Sequence, residues 1–247
     1  MATYTDSEWE LRCDLAAAYR LLAMYGMDDL IFTHQSVRIP GSEHRFLLNP
    51  FGMMFDEITA SSLITVDPDG RMITDHEVSD INAAGFTIHS AIHMNRPDAA
   101  CVMHTHTTAN MAVAAQAEGL LPLNQTSMEF HDRVSYHDYE GIALDLDERD
   151  RLVRDLGDNN VMVLRNHGLL TVGRTVGEAF HYTYYFEQAC RLQIAAMSGG
   201  AKLVTPPTAV VEHTASQFNR GGNTAKGARP WAALRRRLDR ECPDYKT

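Results

Sequence analysis

The sequence predicts an α/β protein with a largely antiparallel central sheet that is flanked by helices. Apolar residues at helical spacing alternate along the chain with short apolar runs of strand length. Turn signals at Pro40-Gly41 and Asp69-Gly70 each lie between two such runs, which is typical of β-hairpins. Because a hairpin pairs its strands antiparallel, these signals favour an antiparallel sheet over a doubly wound parallel one.

The first third of the chain is predicted to contain one helix followed by two hairpins. Asp6 or Ser7 can cap a helix that runs to about Tyr25, and Gly26 ends it. The apolar residues at helical spacing in this helix are Leu11, Leu15, Ala18, Leu21 and Leu22. The predicted strands of the two hairpins are residues 31–38, 46–48, 63–67 and 71–73.

The rest of the chain alternates predicted helices with predicted strands. The predicted helices are residues 82–94, 108–119, 147–156 and 176–197, and the predicted strands are residues 99–103, 161–164 and 169–173. Residues 120–146 are predicted to be looser, with short strands around Met128 and Val134. From about residue 201 we expect an irregular tail with helices near 209–219 and 231–238, within a single domain that spans residues 1–247.

The composition is that of an acidic globular protein. The chain has 247 residues, a formal net charge of -10 and 45% hydrophobic residues. An acidic balance without a basic stripe argues against a nucleic-acid surface. The four cysteines are scattered, and neither a secretory leader nor an apolar run of membrane-spanning length is visible. We therefore expect a cytoplasmic protein with no nucleic-acid or membrane partner.

Three histidines at the ends of two predicted strands form a pattern typical of a metal site. His104 and His106 follow the apolar run 99–103, and in a strand they point to the same face because side chains alternate. His167 follows the second run, residues 161–164. Imidazole nitrogens are common ligands of divalent cations. The pattern predicts that His104, His106 and His167 meet around one such cation.

Several motifs resemble those of the class II aldolase/adducin family, and of its adducin-like branch in particular. The resemblance begins with His104-Thr105-His106 and with Asn166-His167-Gly168 about sixty residues later. The further motifs are Asn49-Pro50-Phe51-Gly52, Arg96-Pro97-Asp98, Tyr136-His137-Asp138-Tyr139 and Leu164-Arg165-Asn166-His167-Gly168. Together they extend over most of the chain, from about Ser7 to Gly200.

The resemblance implies a three-layer α/β/α fold with a mainly antiparallel central sheet. It implies a homotetramer with active sites at subunit interfaces. It also implies that His104, His106 and His167 bind a divalent metal, with zinc as the first expectation and manganese or iron as alternatives.

The chain departs from the family pattern where sugar-phosphate enzymes bind phosphate. Those members have a Gly-Asn pair on the first hairpin, and this chain has Thr33-His34. They also have a Ser-Ser pair followed by a catalytic Glu, and this chain has Ala83-Ala84-Gly85. Alanine and glycine offer neither a side-chain donor to a phosphate nor a carboxylate for proton transfer. A sugar-phosphate aldolase or epimerase is therefore not expected.

Five further residues are predicted to serve the same site. His34 is expected to bind a substrate carboxylate or transfer a proton, since imidazole titrates near neutrality. Glu129 is expected as a fourth ligand or as the acid/base that replaces the missing glutamate, and Tyr139 as a phenolic proton donor. Arg165 and Asn49 are expected to bind substrate. The structural alternatives are a surface ion pair for His34, a solvated loop carboxylate for Glu129, core packing for Tyr139 and pairing with an acidic neighbour for Arg165.

The predicted function is that of a metal-dependent carbon–carbon lyase. Three imidazoles leave open positions on the cation for substrate oxygens, and a Lewis acid stabilises the charge that develops when a C–C bond breaks. The predicted substrate is a non-phosphorylated hydroxy, oxo or aromatic carboxylic acid, with decarboxylation slightly preferred to retro-aldol cleavage. A non-haem iron oxygenase and a non-catalytic adducin-like scaffold are the alternatives.

Overall fold

A mixed seven-stranded sheet forms the centre of the computed structural model, which describes residues 4–42, 44–73, 81–142, 147–220 and 225–247. Its strands are β1 (His34–Arg38), β2 (Phe46–Leu48), β3 (Ile64–Val66), β4 (Cys101–Thr105), β5 (Val134–His137), β6 (Val161–Leu164) and β7 (Gly168–Gly173). Their order across the sheet is β3-β2-β1-β4-β7-β6-β5. Only β5 and β6 pair in parallel among these described strands, so the predicted, mainly antiparallel sheet is confirmed.

Helices cover both faces of the sheet. They are α1 (Asp6–Met24), α2 (Ala83–Asn95), α3 (Thr108–Ala114), α4 (Gln125–Met128), α5 (Glu148–Leu156), α6 (Val176–Ser198), α7 (Thr208–Phe218) and α8 (Ala228–Glu241), and the 3-10 helices are Phe55–Glu57 and Pro243–Lys246. Alternate residues of β4 separate the two faces: Cys101 and Met103 pack in the cluster that contains α1 and α6, and Val102 in the cluster that contains α2 and α5. The three-layer α/β/α arrangement is therefore confirmed.

The first hairpin forms as predicted, with Val37 of β1 opposite Leu47 of β2. β1 begins at His34 rather than at residue 31, because Thr33 has a φ of 64° and interrupts the extended backbone. The second hairpin is reduced to an isolated bridge between Val66 and Met72. These boundaries place His34 at the first position of a strand that pairs with β4.

The segment after β4 differs from the prediction in two places. α3 ends at Ala114 rather than at Gly119. The predicted strand around Met128 is wrong: Met128 is the last residue of α4, which begins because Asn124 and Ser127 cap it reciprocally, with bonds of 3.0 and 3.1 Å. The strand predicted around Val134 is β5, and residues 143–146 of the looser stretch lie outside the described residues.

Beyond Gly200 the chain forms α7 and α8 near the two helices that the sequence predicts within its tail. This segment is more regular than expected and packs on the core, because Leu238 and Tyr245 are fully buried beside α1. The indole N–H of Trp231 donates to the carboxylate of Asp14 at 3.0 Å. No helix among the described residues is both long enough and apolar enough to cross a membrane.

Candidate metal centre

The ends of β4 and β7 bring the three predicted histidines together. His104 lies within β4, His106 just beyond it, and His167 immediately before β7, which is the antiparallel neighbour of β4. Asn166 has a φ of 56°, a conformation that asparagine tolerates, and this turn directs the chain back beside β4. One nitrogen from each of the three imidazoles lies within 4.8 Å of the others, and the Nε2 atoms of His104 and His106 are 2.8 Å apart.

Two of these imidazoles are oriented through their second ring nitrogen. Nδ1 of His104 donates to the backbone carbonyl of Leu169 at 2.9 Å. Nδ1 of His106 donates to a carboxylate oxygen of Asp29 at 3.0 Å. A neutral imidazole that is protonated on Nδ1 keeps its lone pair on Nε2, so both Nε2 atoms are free to ligate a metal. A carboxylate behind a ligating histidine is the usual outer partner in metal sites.

Burial keeps two of the three imidazoles, His104 and His167, neutral. Burial and the neighbouring His167 and His106 hold the pKa of His104 well below its usual range. Burial, with a further contribution from His106, lowers the pKa of His167 to about 4. A metal requires the unprotonated imidazole, so these side chains are in the ligating form at neutral pH. The donor set, with three imidazole nitrogens and no thiolate, fits zinc or a similar divalent ion.

The histidines lie at one side of a cavity of about 420 Å³. Its other lining residues are Asp29, Phe32, Thr33, His34, Phe51, Asn82, Gly85, Ile88, Tyr139, Gly141 and Ile142. The rings of Phe32 and Phe51 lie 6.1 Å apart, and the side chain of Ile142 is 74% exposed. The cavity therefore combines a polar, imidazole-lined region with an apolar lining, which is typical of a small-molecule site.

The family relationship follows from a comparison with known proteins. Residues 13–194 match the sequence profile described as Class II Aldolase and Adducin N-terminal domain. The chain belongs to the class II aldolase/adducin family. The match contains all three histidines of the cluster, and the predicted family resemblance is confirmed.

Close relatives of this class II aldolase/adducin chain match it over nearly its whole length. A solved structure of an aldolase II superfamily protein from Pseudomonas syringae is 51% identical, with a TM-score of 0.93, and the match covers 99% of this chain and 98% of that one. A protein of Caulobacter vibrioides that is named for the class 2 aldolases is 50% identical over 98% of this chain and 93% of its own length.

Two other relatives have different names. Alpha-adducin of Mus musculus is 42% identical over 79% of this chain, but the match covers only 27% of the adducin. A structure of an L-fuculose 1-phosphate aldolase from Glaciozyma antarctica is 27% identical, with a TM-score of 0.85, over 100% of this chain and 97% of that one. The family relationship therefore supports a metal-dependent lyase without identifying a substrate.

Two of the further predicted residues lie at the same cavity as the histidine cluster. His34 is the β1 partner of His104, and the centroids of their rings are 5.8 Å apart. Tyr139 is 55% exposed, and its ring centroid lies 6.5 Å from that of His167. Both side chains line the cavity.

Glu129 does not join the cluster, and the expectation that it is a ligand or acid/base of this site needs correction. Its carboxylate is buried and accepts hydrogen bonds from His181 at 2.9 Å and from Lys226 at 2.8 Å. Burial alone would raise the pKa of Glu129, but these two partners outweigh it and the pKa is lowered. Glu129 therefore links α4 to α6 and to the segment before α8, outside the lining of the cavity.

Arg165 and Asn49 also have structural partners, so the structure does not support their predicted substrate contacts. The guanidinium of Arg165 donates to the carbonyls of Gln116 at 2.6 Å and Ala117 at 3.2 Å. The amide oxygen of the buried Asn49 accepts from the hydroxyl of Tyr19 at 2.7 Å. Neither side chain lines the cavity.

Sequence reasoning missed Asp29 and the packing at Gly85. Asp29 precedes His106 by 77 residues, and no local motif connects the two. A Cβ atom on residue 85 would lie 1.8 Å from Cε1 of His34, so the imidazole fills the space that any side chain there would need. The chain departs from the family pattern at both residue 34 and residue 85. These two departures are structurally linked, because the ring at position 34 occupies the space of a side chain at position 85.

Proposed function

We propose that this protein is a divalent-metal-dependent lyase that breaks a C–C bond in a non-phosphorylated carboxylic acid. The observation that carries the proposal is the convergence of His104, His106 and His167, two of which have their second ring nitrogen bonded elsewhere. Zinc is the metal we propose first, with manganese or iron as alternatives. The reaction is decarboxylation or retro-aldol cleavage of a hydroxy, oxo or aromatic acid, and decarboxylation is slightly preferred.

The three imidazoles would hold the cation, and Asp29 and the Leu169 carbonyl would keep two of them in the ligating orientation. When bound, the cation supplies Lewis-acid stabilisation of negative charge on a substrate oxygen, which both reactions need. In decarboxylation the carboxylate leaves as CO₂, and the electron pair of the broken C–C bond stays on the remaining fragment, which then takes up one proton. In retro-aldol cleavage the hydroxyl group also loses its proton, to a base or to water, as it becomes the carbonyl of the second fragment. In our proposal the O–H of Tyr139 at the cavity donates the proton that the remaining fragment takes up.

The lining of the cavity supports an acid without a phosphate group. Its apolar residues, Phe32, Phe51 and Ile142, can pack against an aromatic or aliphatic body. Thr33 is buried, and its hydroxyl has no partner among the described residues, which leaves an O–H donor for a carboxylate oxygen. His34 also lines the cavity, and the described part offers no Lys or Arg there to clamp a phosphate.

Metal content tests the proposal directly. His106→Ala should lose the metal that copurifies at about one equivalent per chain, because one of three ligands is removed. His131→Ala is the matched control, since the side chains of His131 and His106 are 23% and 22% exposed and His131 lies outside the cavity. Elemental analysis without added metal, followed by reconstitution with zinc, gives the measurement.

The remaining outcomes separate the alternatives. Anaerobic turnover of hydroxy or oxo acids, abolished by a chelator, supports the lyase, whereas strict dependence on O₂ with bound iron supports an oxygenase. No metal in the wild-type protein and none taken up on reconstitution would contradict the proposal and favour an adducin-like scaffold.

We also propose that the chain forms a homotetramer, as the family resemblance implies. Several apolar side chains at and near the cavity mouth are exposed in the single chain, and a subunit contact would cover them. These are Leu30, Phe32, Tyr139 and Ile142. A solution mass four times the chain mass of 27.6 kDa supports this, and a monomer at micromolar concentration contradicts it.

A further inference from the structure

A second group of histidines lies buried between α2 and β1, next to the candidate metal centre. The hydroxyl of Ser36 is 2.7 Å from Nδ1 of His89 and 2.7 Å from Nε2 of His93. All three side chains are almost completely buried. Ser36 and His34 point to the same face of β1 because they are two residues apart in a strand.

The direction of these hydrogen bonds follows from one backbone carbonyl. Nδ1 of His93 lies 3.0 Å from the carbonyl oxygen of Ala99, which can only accept, so Nδ1 carries the proton. Burial lowers the pKa of His93 to about 3, so the ring is neutral and its Nε2 is an acceptor. The single hydroxyl proton of Ser36 is therefore donated to His93.

Because its one proton is donated to His93, the hydroxyl oxygen of Ser36 can only accept a hydrogen bond from His89. Nδ1 of His89 must donate to it, which leaves a lone pair on Nε2 of His89. Burial holds the pKa of His89 well below its usual range, so this nitrogen is not protonated as an imidazolium. Nε2 of His89 is buried and has no hydrogen-bond partner among the described residues. A buried acceptor without a donor is unfavourable, so we expect a neighbouring N–H or O–H group to donate a hydrogen bond to this nitrogen.

The ring of His34 lies beside that of His89, with no hydrogen bond between the two rings among the described residues. The ring centroids of His34 and His89 are 4.2 Å apart, with 51° between the ring planes. The backbones of Thr33 and Gly85 lie close to His34, but neither ring nitrogen has a partner of acceptable geometry in the described part of the chain. A neutral imidazole has one N–H and one lone pair. If the N–H is used for His89, the nitrogen that remains is an acceptor.

We propose that Ser36, His89 and His93 are positioning residues that fix the tautomer of His34, so that His34 meets a ligand as a hydrogen-bond acceptor. The absent side chain at Gly85 makes room for the ring in this position. His34 therefore does not bind a carboxylate, which has only acceptor oxygens when ionised. The ligand presents a hydroxyl or another donor to His34.

This inference deepens the proposed lyase function and rests on it for the identity of the site. It narrows the substrate class to an acid that carries a hydroxyl group at the end of the cavity lined by His34. The carboxylate then lies against the hydroxyl of Thr33, which can donate to it, or at the histidine cluster when a cation is bound there.

The tautomers can be measured without substrate by ¹⁵N NMR on the full-length chain labelled at histidine. Protonated and unprotonated ring nitrogens give well-separated signals. We expect His93 and His89 to carry their proton on Nδ1, and His34 to be neutral. In Ser36→Ala, the fixed donor pattern is lost, and we expect the ring-nitrogen signals of both His89 and His34 to shift.

Two variants control for general loss of packing. Ser36→Thr keeps the hydroxyl and should restore the wild-type signals. Ser135→Ala removes another buried strand hydroxyl, which donates to the Leu156 carbonyl at 2.9 Å, and should leave the histidine signals unchanged. A proton on Nε2 of His89 in the wild type, or His34 signals that do not respond to Ser36→Ala, would overturn the proposal.

The outcome is independent of the test for metal binding. If the tautomers differ from those expected while zinc still binds at about one equivalent, the positioning role fails and the proposed lyase stands. If the tautomers are as expected but no metal binds, the lyase proposal fails and the hydrogen-bonded array remains a structural feature of the fold.

Discussion

Two groups of histidines share one face of the sheet but differ in what surrounds them. We call His104, His106 and His167 the open cluster, because they line the cavity, and His89 and His93 the closed cluster, because they are buried and lie outside its lining. In the open cluster, Asp29 and a backbone carbonyl take the second nitrogens and leave lone pairs for a ligand. In the closed cluster, Ser36 bonds to one nitrogen of each ring, and the Ala99 carbonyl takes the second nitrogen of His93.

The difference shows that residue type alone does not make a metal site. His89 and His93 are four residues apart on a helix, which is a ligand spacing, yet Ser36 lies between their nitrogens. His104 and His106 have their Nε2 atoms 2.8 Å apart with nothing between them. The partner of the second nitrogen decides whether an imidazole can ligate a metal or instead positions a neighbour.

The largest expected effect is acid destabilisation by the closed cluster. The pKa of His93 in the folded protein is about 3, below the ordinary value of 6.5, so the unfolded chain binds the extra proton as the pH falls. Stability is full above about pH 6.5 and decreases towards pH 3, by up to about 1.4 kcal/mol per pH unit for each such site. Urea unfolding between pH 7 and pH 5 measures the loss.

The variant His93→Gln should reduce this pH dependence, whereas His213→Gln should leave it unchanged because His213 is exposed on α7. If His93→Gln does not fold, His89→Gln provides the same comparison. An unfolding free energy that stays constant from pH 7 to pH 5 in the wild type would contradict the neutral, buried state of the closed cluster.

The second expected effect concerns the contact between Gly85 and His34. Gly85→Ala should destabilise the protein by about 1–3 kcal/mol, because the new Cβ overlaps the imidazole at 1.8 Å. The double variant His34→Ala/Gly85→Ala should recover part of that loss, since the overlap is removed. Chemical denaturation of both single variants and the double variant gives the coupling free energy. Strictly additive effects would show that the two positions do not share this space.

The third expected effect concerns the orientation of the open cluster. Asp29→Asn should weaken zinc binding by about 10- to 100-fold, because the carboxylate that accepts from His106 Nδ1 loses its charge. Asp28→Asn is the adjacent control and should bind zinc like the wild type. Competition with a chromogenic chelator gives both affinities. Equal affinities for the two variants would show that Asp29 does not support the site.

The smallest expected effect on metal binding is at Arg165, which lies next to the open cluster in sequence but donates to the carbonyls of Gln116 and Ala117. Arg165→Met should cost about 1–3 kcal/mol of stability and leave zinc affinity within about twofold of the wild type. Thermal unfolding and the same chelator competition check the two parts. A large loss of zinc affinity or of turnover, with unchanged stability, would indicate that Arg165 acts in the site after all.

The sequence by itself determined the elements and the ligand pattern of this protein. Local periodicity and turn residues are properties of neighbouring positions, so α1, the first hairpin and the strands that end near His104 and His167 could be predicted. The short helix α4 was missed because four residues carry too little periodicity, although the Asn124 and Ser127 caps are visible in the sequence.

Only the tertiary structure decided which distant groups meet. Asp29 bonds to His106, which follows it by 77 residues in the sequence, and Glu129 bonds to Lys226, which follows it by 97. The carboxylate of Glu129 therefore stabilises the C-terminal segment and does not line the cavity. His34 and Gly85 come into contact because β1 lies against α2. Such contacts depend on strand register and helix packing, which no local pattern specifies. The sequence therefore identified the three histidines, and the fold decided which residues orient two of them and which imidazole fills the space beside Gly85.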